Sequence, residues 1–162
     1  MAENRSGRLI QPPNPLKAKV GIGGPGAVNP ETLERAEQVI ANLADNYLEW
    51  VESDLVKLQE AFANLTSEPM KQRENLAAVF EICHDIKGQG GSFGYQLMTT
   101  IGHQLCQFLE DRESAGPEEV EAVRLHVDAL KLVIAKRMKG DGGAEGVALL
   151  TGLQKVVTKL AG

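Results

Sequence analysis

The stretch Cys83-His84-Asp85-Ile86-Lys87-Gly88-Gln89-Gly90-Gly91-Ser92-Phe93-Gly94-Tyr95-Gln96 admits three readings: a phosphate-cradling loop, a metal cluster, or a helix that tolerates glycine. Its apolar positions decide between them. On a helix with 100° per residue and His84 at zero, Ile86 falls at about 200°, Ile82 at about 160°, Val79 at about −140° and Phe93 at about 180°. That stripe must face a core, so His84 faces water. Ala77, Phe80, Glu81, Lys87, Gly88, Gly91 and Tyr95 share the outward side within roughly 60° of it.

The other two readings fail on spacing. Gly88-Gln89-Gly90-Gly91-Ser92-Phe93-Gly94 approaches G-x-G-x-x-G, but its third glycine comes one place late, no strand precedes it, and the lysine stands before the glycines. Cys83, His84, His103 and Cys106 supply two cysteines and two histidines, the donor set of a zinc site. Neighbouring helical side chains diverge by about 100°, so Cys83 and His84 cannot point at one ion. No metal site is expected. His103 and Cys106 read as a face of the third helix packing on the second, and His126 as an ordinary helix histidine.

Glycine inside a helix costs about 0.8–1.0 kcal/mol relative to alanine, so a solvated face gains nothing from carrying several. Gly88 and Gly91 lie one and two turns beyond His84 on its own side. They clear a path to the imidazole, and Phe80, one turn before, places an aromatic ring beside the gap. The face Phe80, Gly88, Gly91 and Tyr95 therefore reads as a docking surface around an exposed histidine. Lys87, at i+3, can set its ammonium beside an anion carried by His84. Gly90 lies toward the packed side, and nothing in the sequence explains why it is glycine.

The rest of the chain reads as helices. Asn29-Pro30-Glu31 supplies a capping side chain, a proline at the first helical position and an acid near the positive end of the dipole. Leu33, Ile40, Leu43, Tyr47, Val51, Leu55, Leu58, Phe62 and Leu65 then recur at three- and four-residue steps through to Thr66, giving one long helix or two in line. A second helix is expected from about Pro69, a third from about Tyr95 to Glu113, a fourth from Gly116-Pro117 to near Lys139, and a last one after Gly140-Asp141-Gly142-Gly143. No alternating strand pattern occurs. The fold class predicted is all-α, an antiparallel four-helix bundle with an additional helix. Residues 1–29, rich in proline and glycine, form an extended arm, and residues 30–162 the helical domain.

The 162 residues carry a formal net charge of −5, with 43% hydrophobic and 4% aromatic side chains. An acidic chain without a basic run does not neutralise nucleic-acid phosphates, so no nucleic-acid partner is expected. Nor is a membrane partner: no signal-peptide core and no bilayer-spanning apolar run occur, which gives a cytoplasmic expectation. There the two cysteines stay reduced.

His84-Asp85-Ile86-Lys87-Gly88, followed by Phe93-Gly94, Leu97 and Leu109-Glu110, resembles the signature of histidine-containing phosphotransfer (HPt) domains of two-component phosphorelays: H-x-x-K-G with a second glycine six residues on, where Gly94 stands. The resemblance extends through roughly residues 69–113. It implies a four-helix core in which His84 accepts a phosphoryl group from the aspartate of a response-regulator receiver and passes it to another. It further implies that Lys87 stabilises phosphate charge and that Gly88 and Gly91 give the receiver room. Mg²⁺ and its acidic cluster belong to the receiver in that family, so this chain needs no cofactor of its own and is a phosphocarrier without kinase activity. The partners implied are receiver domains, with a hybrid histidine kinase as a further candidate, and the chain is expected to be a monomer. Two other readings stand beside it: a dimeric histidine phosphotransferase related to kinase dimerisation domains, whose box usually places a proline where this chain has Gln89, and a helical adaptor with an inert His84.

Overall fold

The computed structural model describes residues 29–161; the N-terminal arm lies outside them. Within these residues the chain is helical: α1 Pro30–Ser67, a 3₁₀ turn Pro69–Lys71, α2 Gln72–Gly90, a 3₁₀ turn Gly91–Phe93, α3 Gln96–Leu109, α4 Pro117–Ala135 and α5 Gly143–Ala161. The all-α bundle with an additional helix is as expected. Two compact units divide at Asp45/Asn46. In the first, the described residues are the beginning of α1; the second holds the bundle.

The helix starts follow their local chemistry. Thr32 donates its backbone N–H to Asn29 Oδ1 at 2.7 Å, which satisfies one of the orphan donors of α1. At the start of α4, Gly116 donates its N–H to Glu119 Oε1 at 2.7 Å, and Pro117 occupies the first turn, where a missing N–H costs nothing. Two ends differ from the sequence expectation. α3 stops at Leu109, where Asp111 adopts a positive φ of 60°, and α4 stops at Ala135, shortly before Arg137 at φ 50°. Apolar residues beyond those points, Ala115 and Met138, are still buried, so the periodicity ran on through loops that also pack.

The core of the second unit is filled by Tyr47, Val51, Leu55, Leu58 and Leu65 of α1, Leu76, Val79, Cys83 and Ile86 of α2, Met98, Ile101 and Leu105 of α3, and Val123, Val127, Leu130 and Ile134 of α4. The α1 stripe does not stay buried along its whole length: Ile40 and Leu43 are exposed. Residues Tyr47, Phe93 and Tyr95 stack, with ring centroids 4.7 Å and 5.7 Å from Tyr47. The Tyr47 hydroxyl is buried and finds no partner among the described residues; burial first, then Tyr95 and Asp54, push its pKa up to about 12.

α2 and α3 approach closely because glycines allow it. A Cβ on Gly90 would stand 2.7 Å from Met98 Cβ and 2.9 Å from the Tyr95 carbonyl; one on Gly102 would stand 3.0 Å from Lys87 Cβ and 3.2 Å from Lys87 Cα. This answers the question Gly90 poses in the sequence: it is the seat of the α3 backbone. α5 packs on α4 and α3, and Gly146 and Leu153 are its buried residues. No helix among the described residues is long and apolar enough to cross a membrane.

Candidate functional site

The site lies on α2, whose phase is fixed by Val79, Cys83 and Ile86 in the core. His84 is exposed, one residue from fully buried Cys83, so the adjacent pair diverges as the helical step requires. Cys83 donates its thiol hydrogen to the Gly102 carbonyl at 3.2 Å, and the neighbouring Cys106 thiol, followed by burial, pushes its pKa up. It stays a neutral packing group behind the histidine. Phe80 is half-buried and stacks on His84, centroids 6.1 Å apart and planes 27° apart. The exposed ring therefore has an aromatic neighbour one turn back along the helix.

One turn on, Gly88 is exposed, and a Cβ added there meets nothing within 4 Å. Packing among the described residues does not demand glycine there. Gly91 is exposed too, with Gln96 Oε1 and Thr99 Oγ1 each 3.4 Å from an added Cβ. Four predicted site residues, Phe80, His84, Gly88 and Gly91, thus share α2 and its end. Lys87 is half-exposed, and among the described residues no acid lies within ion-pair distance of it.

Tyr95 is the exception. The wheel puts it on the outward face, but it is 2% exposed and packs in the core against Tyr47. The reason is the end of the helix: α2 stops at Gly90, a 3₁₀ turn follows, and Gly94 at φ 86° reverses the chain, so the 100° step no longer applies beyond Gly91. The same break turns Phe93 onto Tyr47, where it stays only partly buried beneath the edge of the exposed Trp50 ring, 6.4 Å away.

Thr99 of α3 is a site residue that sequence reasoning missed. Gly91 donates its backbone N–H to Thr99 Oγ1 at 2.9 Å, and that hydroxyl donates to the Lys87 carbonyl at 2.9 Å. A side chain from another helix thus bridges the Gly91 N–H and the Lys87 carbonyl. It fixes the Lys87 backbone from one side while Gly102 abuts it from the other. Only Gly102, a glycine inside an apolar helical pattern, gave any sign of that contact in the sequence.

The other histidines take different parts. His103 is exposed, contrary to the expectation that it packs on α2, whereas Cys106, one turn on, is 4% exposed and makes that contact. His126 is fully buried; Nδ1 lies 2.7 Å from the Ala122 carbonyl and Nε2 2.9 Å from the Gln104 side-chain amide. Burial lowers its pKa, against a smaller opposing effect of the Ala122 carbonyl. Among the described residues no group of three or more His, Cys, Asp or Glu side chains could hold a metal ion.

Fold and site together describe an α-helical bundle that presents the His84 imidazole on a helix face left bare at Gly88 and Gly91. The model of the Hpt domain matches residues 42–133, more than half of the chain, and the chain belongs to that family of histidine phosphotransfer domains of two-component phosphorelays. Such domains work with receiver domains and kinases. No curated protein and no solved structure gives a match.

Proposed function

We propose that this chain is a phosphorelay intermediate in which His84 takes a phosphoryl group from the aspartyl phosphate of one receiver domain and gives it to the aspartate of another. The observation that carries this reading is the exposed His84 beside Gly88, where an added Cβ would meet nothing within 4 Å among the described residues. The lone pair of an imidazole nitrogen attacks phosphorus, the P–O bond to the carboxylate breaks, and that electron pair returns to the aspartate. The proton of the other ring nitrogen exchanges with water. Neutral imidazole is a competent nucleophile near neutral pH, so the chain's task is placement and charge compensation.

Lys87 supplies the compensation: it stands one turn from His84 on α2, with no acid within ion-pair distance among the described residues, and its ammonium would offset the charge of a phosphoryl oxygen. Phe80, Gly88 and Gly91 form the dock, with Phe80 as the apolar contact and the glycines as clearance. Tyr95 contributes from beneath, as a core side chain. Mg²⁺ is expected on the receiver, with no cofactor on this chain. The chain is taken to act in the cytoplasm as a monomer and to need a kinase elsewhere for the first phosphorylation.

Docking and chemistry can be separated by the donor. Phosphoramidate, a small donor, needs no docking surface, whereas a phosphorylated receiver does. Gly88→Leu should label like wild type from phosphoramidate and lose at least tenfold in rate from the receiver; equal rates from the receiver would remove the dock assignment. Lys87→Ala should slow transfer from both donors while leaving the helical signal unchanged.

A further inference from the structure

The segment between α4 and α5 lies outside the residues matched by the family model, yet it is bonded to the turn that ends the site helix. Gly140 donates its N–H to the Gly94 carbonyl at 2.7 Å, and Leu97 donates its N–H to the Gly140 carbonyl at 3.2 Å. Leu97 is the second residue of α3, so its N–H is one of the orphan donors of a helix start. Such a donor is ordinarily met by the side chain of the N-cap residue, but here that residue is Tyr95, which makes no capping bond and is buried. A carbonyl from a distant loop does the capping instead.

The loop is shaped for that contact. Gly140 and Gly142 have φ of 63° and 73°, a region that side chains disfavour. A Cβ on Gly142 would stand 2.5 Å from Leu97 Cδ1 and 3.0 Å from Gly146 Cα, so the loop lies flat against the start of α3. Lys139 places its ammonium 5.9 Å from the centroid of the Tyr95 ring, adding a contact on the same turn. These contacts converge on Gly94 to Leu97, a stretch that begins three residues beyond Gly91.

Resting on the reading of α2 as the receiver dock, we infer that the Lys139–Gly142 loop is a positioning element: it holds the α2–α3 turn so that Gly91 and the end of the dock keep the shape a receiver meets. Gly140 acts through the turn and touches neither phosphoryl group nor His84. Its loss therefore weakens docking and leaves the intrinsic reactivity of His84 alone. A merely structural loop would change stability and not the dependence of transfer on receiver concentration.

The test uses the full chain and two donors. Gly140→Pro removes the N–H that bonds Gly94 and cannot adopt the positive φ; Gly140→Asn keeps the N–H, tolerates that φ and has open space for its side chain. With a phosphorylated receiver, Gly140→Pro should raise the apparent KM about tenfold with kcat changed less than twofold, and Gly140→Asn should stay within twofold of wild type. Labelling by phosphoramidate should be equal in all three. Should Gly140→Pro lose helicity, Gly140→Val, which keeps the N–H and has open space for its side chain but disfavours the positive φ, is read in the same way. An unchanged KM in a folded variant whose Leu97 amide has lost its protection from hydrogen exchange overturns the inference. Wild type that takes no label from phosphoramidate removes the His84 reading and this inference with it, whereas labelled variants with a wild-type KM overturn the inference alone.

Discussion

The same substitution two residues apart on α2 should have opposite effects. Gly88→Ala adds a Cβ that meets nothing within 4 Å, so the variant gains helix propensity without a packing cost, about 0.5–1 kcal/mol near the end of the helix. Gly90→Ala gains the same propensity but puts its Cβ 2.7 Å from Met98 Cβ, 2.9 Å from the Tyr95 carbonyl and 3.1 Å from the Thr99 N. Apolar contacts settle at about 3.5–4.0 Å, so α3 would have to move by roughly 1 Å, and none of these atoms can swing aside. Overpacking of this kind costs about 1–3 kcal/mol, and the shift also strains the Thr99 hydroxyl bridge, which leaves Gly90→Ala about 1–2 kcal/mol less stable than wild type. The two variants should thus differ by about 2 kcal/mol, or roughly 5–10 °C in Tm for a domain of this size. Urea titrations read at a common slope measure the difference. A Gly90→Ala variant as stable as wild type, or a destabilised Gly88→Ala, would refute this assignment of the two glycines.

Thr99→Val keeps the shape of the side chain but removes both the acceptor for the Gly91 N–H and the donor to the Lys87 carbonyl; a loss of about 1–3 kcal/mol in denaturant unfolding is expected, with faster hydrogen exchange at the Gly91 amide. His126 makes stability depend on pH. Its folded pKa is depressed, so below its ordinary value of 6.5 the unfolded chain binds more protons than the folded one, and stability that is fully present above that value is lost as pH falls toward the folded pKa. His126→Gln should flatten that part of a stability–pH profile measured from pH 7.5 to 5; an unchanged slope would move the dependence to another group.

The parts of this molecule that were legible in its sequence are those governed by one helix at a time. The stripe Val79, Cys83 and Ile86 sets the phase of α2, and phase alone turns His84 to water and Gly88 to its side. Asn29 and Gly116 mark helix starts by chemistry that needs only three or four neighbouring residues. What was not legible depends on a second element. Tyr95 is buried because Gly94 reverses the chain, and a helical wheel carries no signal that the helix has ended. Gly90 is glycine because α3 crosses there, and Thr99 reaches α2 from eight residues beyond Gly91, through a fold that only packing specifies. Ile40 and Leu43 follow the apolar period of α1 and are nevertheless exposed, since periodicity states which face a helix would bury and not whether anything covers it.

The central claim is that His84 carries the phosphoryl group. The most direct measurement incubates the full chain with a ³²P-phosphorylated receiver from the same organism and reads protein-bound label that is stable to alkali and labile to acid. The account predicts such label on wild type and none on His84→Gln, a variant whose exposed position on α2 leaves the bundle folded. Label retained by His84→Gln, or none on wild type with every cognate receiver, would contradict it.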